Sequence, residues 1–360
     1  MIVFFLSILG APLAFALYVI HRSKLTEFNR VSYIFRLGYA LYNSTFGPYI
    51  YAYMLAVSSK NDRHTSLCRE VEDHGHFVVW YVPYLEDNYA YFVLDKQSGR
   101  VAVVDPADPE FIAEQFEVLK SYVKENLITL AQLKLVCILT THYHQDHAGG
   151  NERLNSIFKG LDIVSGTNET CLGQNISIPH LAYYKLGQTS IQVIDTPCHT
   201  IGHVGFFIAG KNKAGAYFSG DTLFVGGCGK FFEGNGRIMY ETLANIVLKL
   251  LPHDTFLYCG HEYTISNLQF GLKAEPKNSA IKTKLTWAME RRSKRLPTVP
   301  STIADELQHN VFLRYRSPEV LSVLGLKKDT PPETVLGLTR IYKDTGVLPS
   351  ASDDQCKVKL

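Results

Sequence analysis

The chain reads as an α/β protein on three observations. From residue 77 onward, short runs of β-branched and aromatic residues recur between turn-forming pairs. One stretch, 109–124, repeats its apolar residues at helical spacing. Four of the runs give way to loops that carry His or Asp, where α/β sheets usually place their chemistry.

Taken in order, the first element is of another material. Ile2 to Ile20 is a 19-residue stretch whose only non-apolar members are Ser7, Gly10 and Pro12. As a helix it would span ~28 Å, against the ~30 Å hydrocarbon core of a bilayer. His21, Arg22, Lys24 and Arg30 follow it, so residues 1–24 are expected to be a transmembrane anchor, with the rest of the chain on the cytosolic side. A cleavable signal peptide ending near Ala14-Phe15-Ala16 is the alternative, although a basic leading region is missing. Plasma membrane, endoplasmic reticulum and mitochondrion are all open as hosts. Residues 25–76 form a Tyr-rich membrane-proximal region and a polar linker. Tyr33, Tyr39, Tyr42, Tyr49, Tyr51 and Tyr53 suit a membrane–water boundary, with a second spanning helix or a packed flap as alternatives.

The α/β domain is expected over 77–262. Phe77 to Val82, Tyr89 to Leu94 and Val101 to Val104 read as strands, with turns at Asp87-Asn88 and Ser98-Gly99. Pro109 to Lys124 reads as a helix through Phe111, Ile112, Phe116, Leu119 and Val123. Leu135 to Leu139 is the next buried strand. A helical part over 263–350 and a tail over 351–360 complete the chain.

Composition narrows the classes. With 36 Lys plus Arg against 34 Asp plus Glu, the net charge of +2 provides no field for nucleic acid, and none is expected as a partner. Seven scattered cysteines without a C-x-x-C point to a reducing compartment.

The chemistry begins at T-H-Y-H-Q-D-H, residues 141–147. Within that loop His142 and His144 can turn toward one metal while Asp146 and His147 face a second, and imidazole with carboxylate suits zinc and comparable metals. Three later runs repeat the layout. Ile191 to Ile194 leads to His199 and His203, Ala216 to Ser219 to Asp221, and Phe256 to Cys259 to His261. His142, His144, Asp146, His147, His199, Asp221 and His261 make enough ligands for two metals sharing one carboxylate. Such a pair acidifies water and stabilises an oxyanion. His203 reads as a structural hydrogen-bonding residue, and Cys198, Cys228 and Cys259 as packing groups.

H-x-H-x-D-H, P-C-H-T-x-G-H, G-D-T-L-F and G-H-E-Y-T, in this order, resemble the metallo-β-lactamase superfamily. G-G-C-G-K-F-F-E-G at 226–234 and the helical C-terminal part narrow the resemblance to glyoxalase II, hydroxyacylglutathione hydrolase, over about residues 77–345. The resemblance implies an αββα sandwich with a C-terminal helical domain and two divalent ions, zinc with iron or manganese as alternatives. It implies that His142, His144 and His199 hold one ion, that Asp146, His147 and His261 hold the other, and that Asp221 bridges them. Asp146 would also orient the nucleophile.

For substrate it implies contacts from Lys230, Tyr263, Arg340 and Lys343 to the glutathione part of an S-(2-hydroxyacyl)glutathione such as S-lactoylglutathione. Hydrolysis would give the 2-hydroxy acid and glutathione, a step in methylglyoxal detoxification. One departure stands out: Phe232 occupies the place of a tyrosine that binds glutathione. The bland reading of Arg340 and Lys343 is an exposed charged helix face. The run Trp287, Arg291, Arg292, Lys294 and Arg295 reads the same way, with anionic lipid as a lesser alternative. A mono-iron persulfide dioxygenase and a membrane-anchored regulatory protein with weak hydrolase activity are the alternative functions.

Overall fold

The computed structural model describes residues 70–126 and 132–350. The apolar segment 2–20, the Tyr-rich stretch and the tail expected over 351–360 lie outside the described residues. Among the described residues no helix is long and apolar enough to cross a membrane.

Seven strands form the first sheet in sequential order: β1 (Val71–Asp73), β2 (Phe77–Tyr84), β3 (Asn88–Asp95), β4 (Arg100–Val104), β5 (Lys134–Leu139), β6 (Asp162–Gly166) and β7 (Ile176–Ile178). β1 to β4 pair antiparallel, and β4 to β7 pair parallel. The fold therefore starts before residue 77. Val71 and Glu72 pair with Trp80 and Val79, and His74 is buried against Phe77 with its ring bonded to Ala214 O and the Tyr258 hydroxyl. Three strand residues are too short a run to show a period against a polar background.

The alternation of β2 explains its double burial. Phe77, Val79 and Tyr81 enter the core between the sheets, while Trp80 on the other face meets Tyr122 at 5.0 Å between ring centres. Tyr122 belongs to α1 (Pro109–Asn126), which buries Ile112, Phe116, Leu119 and Val123 and is capped by Asp108 Oδ1, acceptor from Phe111 N–H. Two short helices, α2 (Gln145–Ala148) and α3 (Asn151–Phe158), follow β5.

The second sheet contains β8 (Tyr183–Leu186), β9 (Thr189–Asp195), β10 (Val204–Ile208), β11 (Ala216–Gly220), β14 (Phe256–Cys259) and β15 (Ser301–Thr302), in the order β15-β14-β11-β10-β9-β8. Between β11 and β14 come the hairpin β12 (Leu223–Phe224) and β13 (Gly227–Cys228), then α4 (Gly236–Tyr240), a π-helical turn over Glu241–Val247 and α5 (Leu248–Leu250). β10 is antiparallel to both β9 and β11, and β14 is parallel to β11. Hence β9, β11 and β14 share a direction and end on one edge, which is where His199, Asp221 and His261 emerge.

The C-terminal part is α6 (Thr264–Ala274), α7 (Ser279–Ser293), α8 (Ile303–His309), α9 (Pro318–Val323) and α10 (Pro332–Thr345). A second core, including Met239, Leu243, Leu268, Phe312, Val320 and Leu336, joins these helices to the outer face of the second sheet. The layers run helix, sheet, sheet, helix.

The basic run at the end of α7 is not a free solvated face. Arg291 donates to Glu70 Oε2 and to Pro297 O, both at 2.6 Å, and Arg292 donates to Leu296 O at 2.9 Å. The carbonyls of the loop after α7 and a carboxylate at the start of the described domain take up their donors. Lys294 and Arg295 are exposed.

Candidate metal centre

Four strand ends deliver the candidate ligands. Beyond β5, the α2 loop brings His142, His144, Asp146 and His147; β9, β11 and β14 deliver His199, Asp221 and His261. Three groups form with ligand atoms within 4.8 Å of one another: His142, His144 and His199; His142, His147 and Asp221; and Asp146, His147 and His261. All seven predicted ligands are therefore together.

Ring nitrogens face one another at short range. His144 Nδ1 lies 2.9 Å from His142 Nε2 and 3.1 Å from His199 Nε2, and His147 Nε2 lies 3.2 Å from His261 Nε2. Asp221 reaches both groups, with Oδ2 at 3.3 Å from His199 Nε2 and 3.4 Å from His261 Nε2, and Oδ1 at 3.5 Å from His147 Nε2. Asp146 Oδ2 lies 3.6 Å from His147 Nε2 and 3.4 Å from His261 Nε2. The strand carrying His261 comes this close because residue 260 is glycine: a Cβ there would meet Asp221 Oδ1 at 2.5 Å.

The outer nitrogens have partners of their own. Thr141 Oγ1 donates to Asp105 Oδ2 at 2.7 Å, which leaves it an acceptor for His142 Nδ1–H at 3.0 Å. His147 Nδ1 meets Asp105 Oδ2 at 2.9 Å, His261 Nδ1 meets Asp87 Oδ1 at 2.8 Å, and His199 Nδ1 meets Lys230 O at 3.0 Å. Each acceptor holds a proton on the outer nitrogen and leaves the inner nitrogen as the one that can give its lone pair to a cation. That donor set fits cations: inward lone pairs and a buried Asp221 Oδ1 that accepts no hydrogen bond.

The electrostatics agree. Burial, and then the neighbouring imidazoles, hold His142 well below the ordinary imidazole value, and burial likewise lowers His144 and His199. Burial opposes charge on His147 too, yet the carboxylates of Asp221, Asp146 and Asp105 bring it up to about 9. Burial also opposes charge on Asp221, yet His261, His147 and His199 hold its carboxyl well below the usual range. The carboxylate side of the centre thus attracts positive charge, and the His142–His144–His199 side offers neutral donors.

His203 is a buried structural residue, as expected. Its Nε2 accepts from Asp221 N–H at 3.1 Å, and its Nδ1 meets the hydroxyls of Thr196 at 2.9 Å and Thr222 at 3.0 Å. Burial raises the thiols of Cys198, Cys228 and Cys259, which suits packing groups.

Beyond β13 lies a cationic cluster. Arg340 is 5% exposed, donates from Nη1 to Cys228 O at 3.2 Å and from Nη2 to Asp344 Oδ1 at 2.5 Å. Lys343 donates to Asn267 Oδ1, and burial, then Arg340, bring its ammonium down to about 7. Burial also lowers Lys230, with Arg340 contributing. The reading of Arg340 and Lys343 as an exposed face is overturned; α10 turns both toward the β12–β13 hairpin. Tyr263 stacks on His261 with ring centres 4.9 Å apart, and Phe232 packs 5.1 Å from the His199 ring and 6.0 Å from that of His144.

Four supporting residues went unread in the sequence. Asp105 ends the run Val101 to Val104 just as ligands end the other runs, a signal that was present. Thr141 sits inside the first motif. Asp87 and Asn88 read only as a turn, yet Asn88 Nδ2 donates to Asp146 Oδ2 at 3.3 Å and Asp87 holds His261.

Comparison with known proteins follows the same division. Residues 84–166 match the metallo-beta-lactamase superfamily, and residues 262–346 match the hydroxyacylglutathione hydrolase C-terminus. The chain is 43% identical over 251 residues to a hydroxyacylglutathione hydrolase, cytoplasmic, of Arabidopsis thaliana, covering 69% of this chain and 92% of that one. It is 40% identical over 262 residues to a hydroxyacylglutathione hydrolase-like protein of Gallus gallus, covering 72% and 87%.

Proposed function

The chain belongs to the hydroxyacylglutathione hydrolase family of the metallo-β-lactamase superfamily, and from that premise we propose that it hydrolyses S-(2-hydroxyacyl)glutathiones such as S-lactoylglutathione. It is a metallo-hydrolase. The observation that carries the substrate reading is the juxtaposition, across one short hairpin, of a centre suited to two divalent ions and a buried cationic cluster suited to a carboxylated thiol.

In this reading His142, His144 and His199 would hold one ion and Asp146, His147 and His261 the other, with Asp221 within reach of both. When bound, such ions acidify water and neutralise charge developing on a carbonyl oxygen. The chain's own residues do the rest. Asp105, Thr141, Asp87 and Lys230 O fix the imidazole tautomers. Asn88 holds the Asp146 carboxylate, which orients the attacking water. Lys230, Arg340 and Lys343 bind the glutathione carboxylates, Tyr263 lines the path between, and Phe232 covers the histidines of the first group. Imidazole and carboxylate donors favour zinc, with iron and manganese as rivals.

We also place the protein at a membrane, on the apolar segment 2–20 and the basic residues after it, with the hydrolase on the cytosolic side. The test is one preparation read in three ways: S-lactoylglutathione turnover, metals per chain by mass spectrometry, and resistance of the full chain to carbonate extraction. A chain that binds metal yet leaves S-lactoylglutathione intact refutes the substrate. A chain released by carbonate refutes the anchor.

A further inference from the structure

The β12–β13 hairpin joins the two halves of the site. It begins two residues after Asp221 and ends two before Lys230. On one strand Phe224 meets the rings of His261 at 6.0 Å and Tyr263 at 5.4 Å; on the other, the Cys228 carbonyl accepts from Arg340. Strands of two residues do not hold a hairpin unaided, so its position is set from outside.

Three side chains of the helical part set it. Glu306 Oε2 accepts from Gly226 N–H at 2.8 Å. Asn310 Nδ2 donates to Gly227 O at 2.9 Å and Phe224 O at 3.3 Å. Asn267 Nδ2 donates to Val225 O at 3.0 Å, while its Oδ1 accepts from Lys343. Gly226 sits at φ +71°, and a Cβ there would meet Leu268 at 2.9 Å, so the turn fits one conformation against α6.

Glu306 organises this contact. It is 0% exposed, and burying a carboxylate is costly unless donors surround it. Four do: Ser301 Oγ at 2.6 Å and His309 Nε2 at 3.0 Å on Oε1, with Gly226 N and, at 3.0 Å, Asn310 Nδ2 on Oε2. Two of those donors belong to the hairpin and to the residue that grips it.

We propose that Glu306 and Asn310 are positioning residues, which fix the hairpin so that one glutathione thioester engages the metal centre and the cationic cluster at once. The inference rests on the substrate reading above. Neither residue touches the substrate; each acts through residues 223–228.

The test uses the full chain carrying Glu306→Gln. Glutamine keeps the size but puts an NH2 where one carboxylate oxygen accepts from two of the four donors. KM for S-lactoylglutathione should rise about ten-fold with a smaller change in kcat, at wild-type metal content. The loss of kcat/KM on S-lactoylglutathione should exceed that on a small thioester without glutathione by roughly five-fold or more. Hydrogen exchange should quicken in residues 223–230 and stay as it was in 142–147. Asn310→Ser, which leaves the carboxylate and withdraws the donor to the hairpin carbonyls, should repeat the pattern if Glu306→Gln misfolds. Equal losses on both substrates, loss of metal, or an unmoved KM would overturn the proposal. If the wild-type chain does not turn over S-lactoylglutathione, the substrate reading fails by itself, and unchanged exchange over 223–230 would then overturn this one.

Discussion

At the metal centre, His142, His147, His199 and His261 each give the outer ring nitrogen to a partner; three of those partners sit at strand ends of the first sheet, and Lys230 O lies just past the β12–β13 hairpin. At the cationic cluster, a few residues away, Arg340 keeps a buried Nε with no partner, and Lys343 lies where burial depresses its charge. One region is hydrogen-bonded from behind and turns its nitrogens and carboxylates inward. The other holds positive charge that its surroundings only partly satisfy. Under the proposed function the contrast separates two tasks: the first would act on the scissile carbonyl, and the second would bind the part of the substrate that does not react. An under-satisfied cation favours an anion that arrives with the substrate.

The strongest test of that division is Asp221→Asn. One carboxylate reaches both groups of imidazoles, so removing its charge should lower total metal content and abolish hydrolysis together. The loss should exceed the ~10–100-fold that follows removal of an outer-shell partner. Two metals per chain and a near-normal rate in this variant would remove the bridging role and break the comparison at its metal-binding end.

The cationic end should respond differently. Binding to a remote part of a substrate is shared by ground and transition states, so its loss raises KM more than it lowers kcat. Arg340→Ala or Lys343→Ala should raise KM for a glutathione thioester about ten-fold, the effect of roughly 1–2 kcal/mol for one charge-assisted contact. Equal losses on a small thioester lacking glutathione would mean that the pair supports the fold and binds no thiol.

A smaller effect should come from pH. Lys343 titrates at about 7, lowered first by burial and then by Arg340. Below that value the ammonium is charged; as pH rises through it, charge is lost from the free enzyme. KM for a glutathione thioester should therefore climb a few-fold between about pH 6 and 8, with kcat much less affected, because bound carboxylate restores the proton. Lys343→Arg should flatten that profile, since guanidinium stays charged. A flat wild-type profile would place the lysine outside the binding step.

These two regions were also unequally legible in the sequence. The metal ligands showed because each stands in a short motif after an apolar run, and a run ending in His or Asp is a local pattern. Asp105 follows the same rule, but a lone Asp after a strand is usually a cap. Asp87 looked like a turn residue; only pairing across 174 positions reveals its bond to His261. The cationic cluster was legible as residue types and not as an environment. Spacing puts Arg340 and Lys343 on one helix face, but which face is buried depends on the hairpin at 223–228 and on Asn267. The grip of Glu306 on Gly226 joins residues 80 positions apart, beyond the reach of any local pattern.

The finest test lies where the two regions meet. Phe232 packs on the rings of His199 and His144, and it stands where the resemblance to glyoxalase II implies a tyrosine hydroxyl for glutathione. Phe232→Tyr adds one neutral donor without changing the ring that covers the histidines. A neutral hydrogen bond contributes about 0.5–1.5 kcal/mol, so KM for S-lactoylglutathione should fall roughly three-fold while kcat and metal content hold. The direction matters more than the size. A lower KM would show that the chain binds glutathione in the family's manner with one contact missing, which places Phe232 on the recognition side of the comparison. An unchanged KM in Phe232→Tyr, together with a full response to Arg340→Ala, would show an anionic thiol bound by the cluster in a different pose. Substrates with other carboxylated thiols in place of glutathione should then outperform S-lactoylglutathione in the wild-type chain, and the phenyl ring would belong with the metal centre it covers.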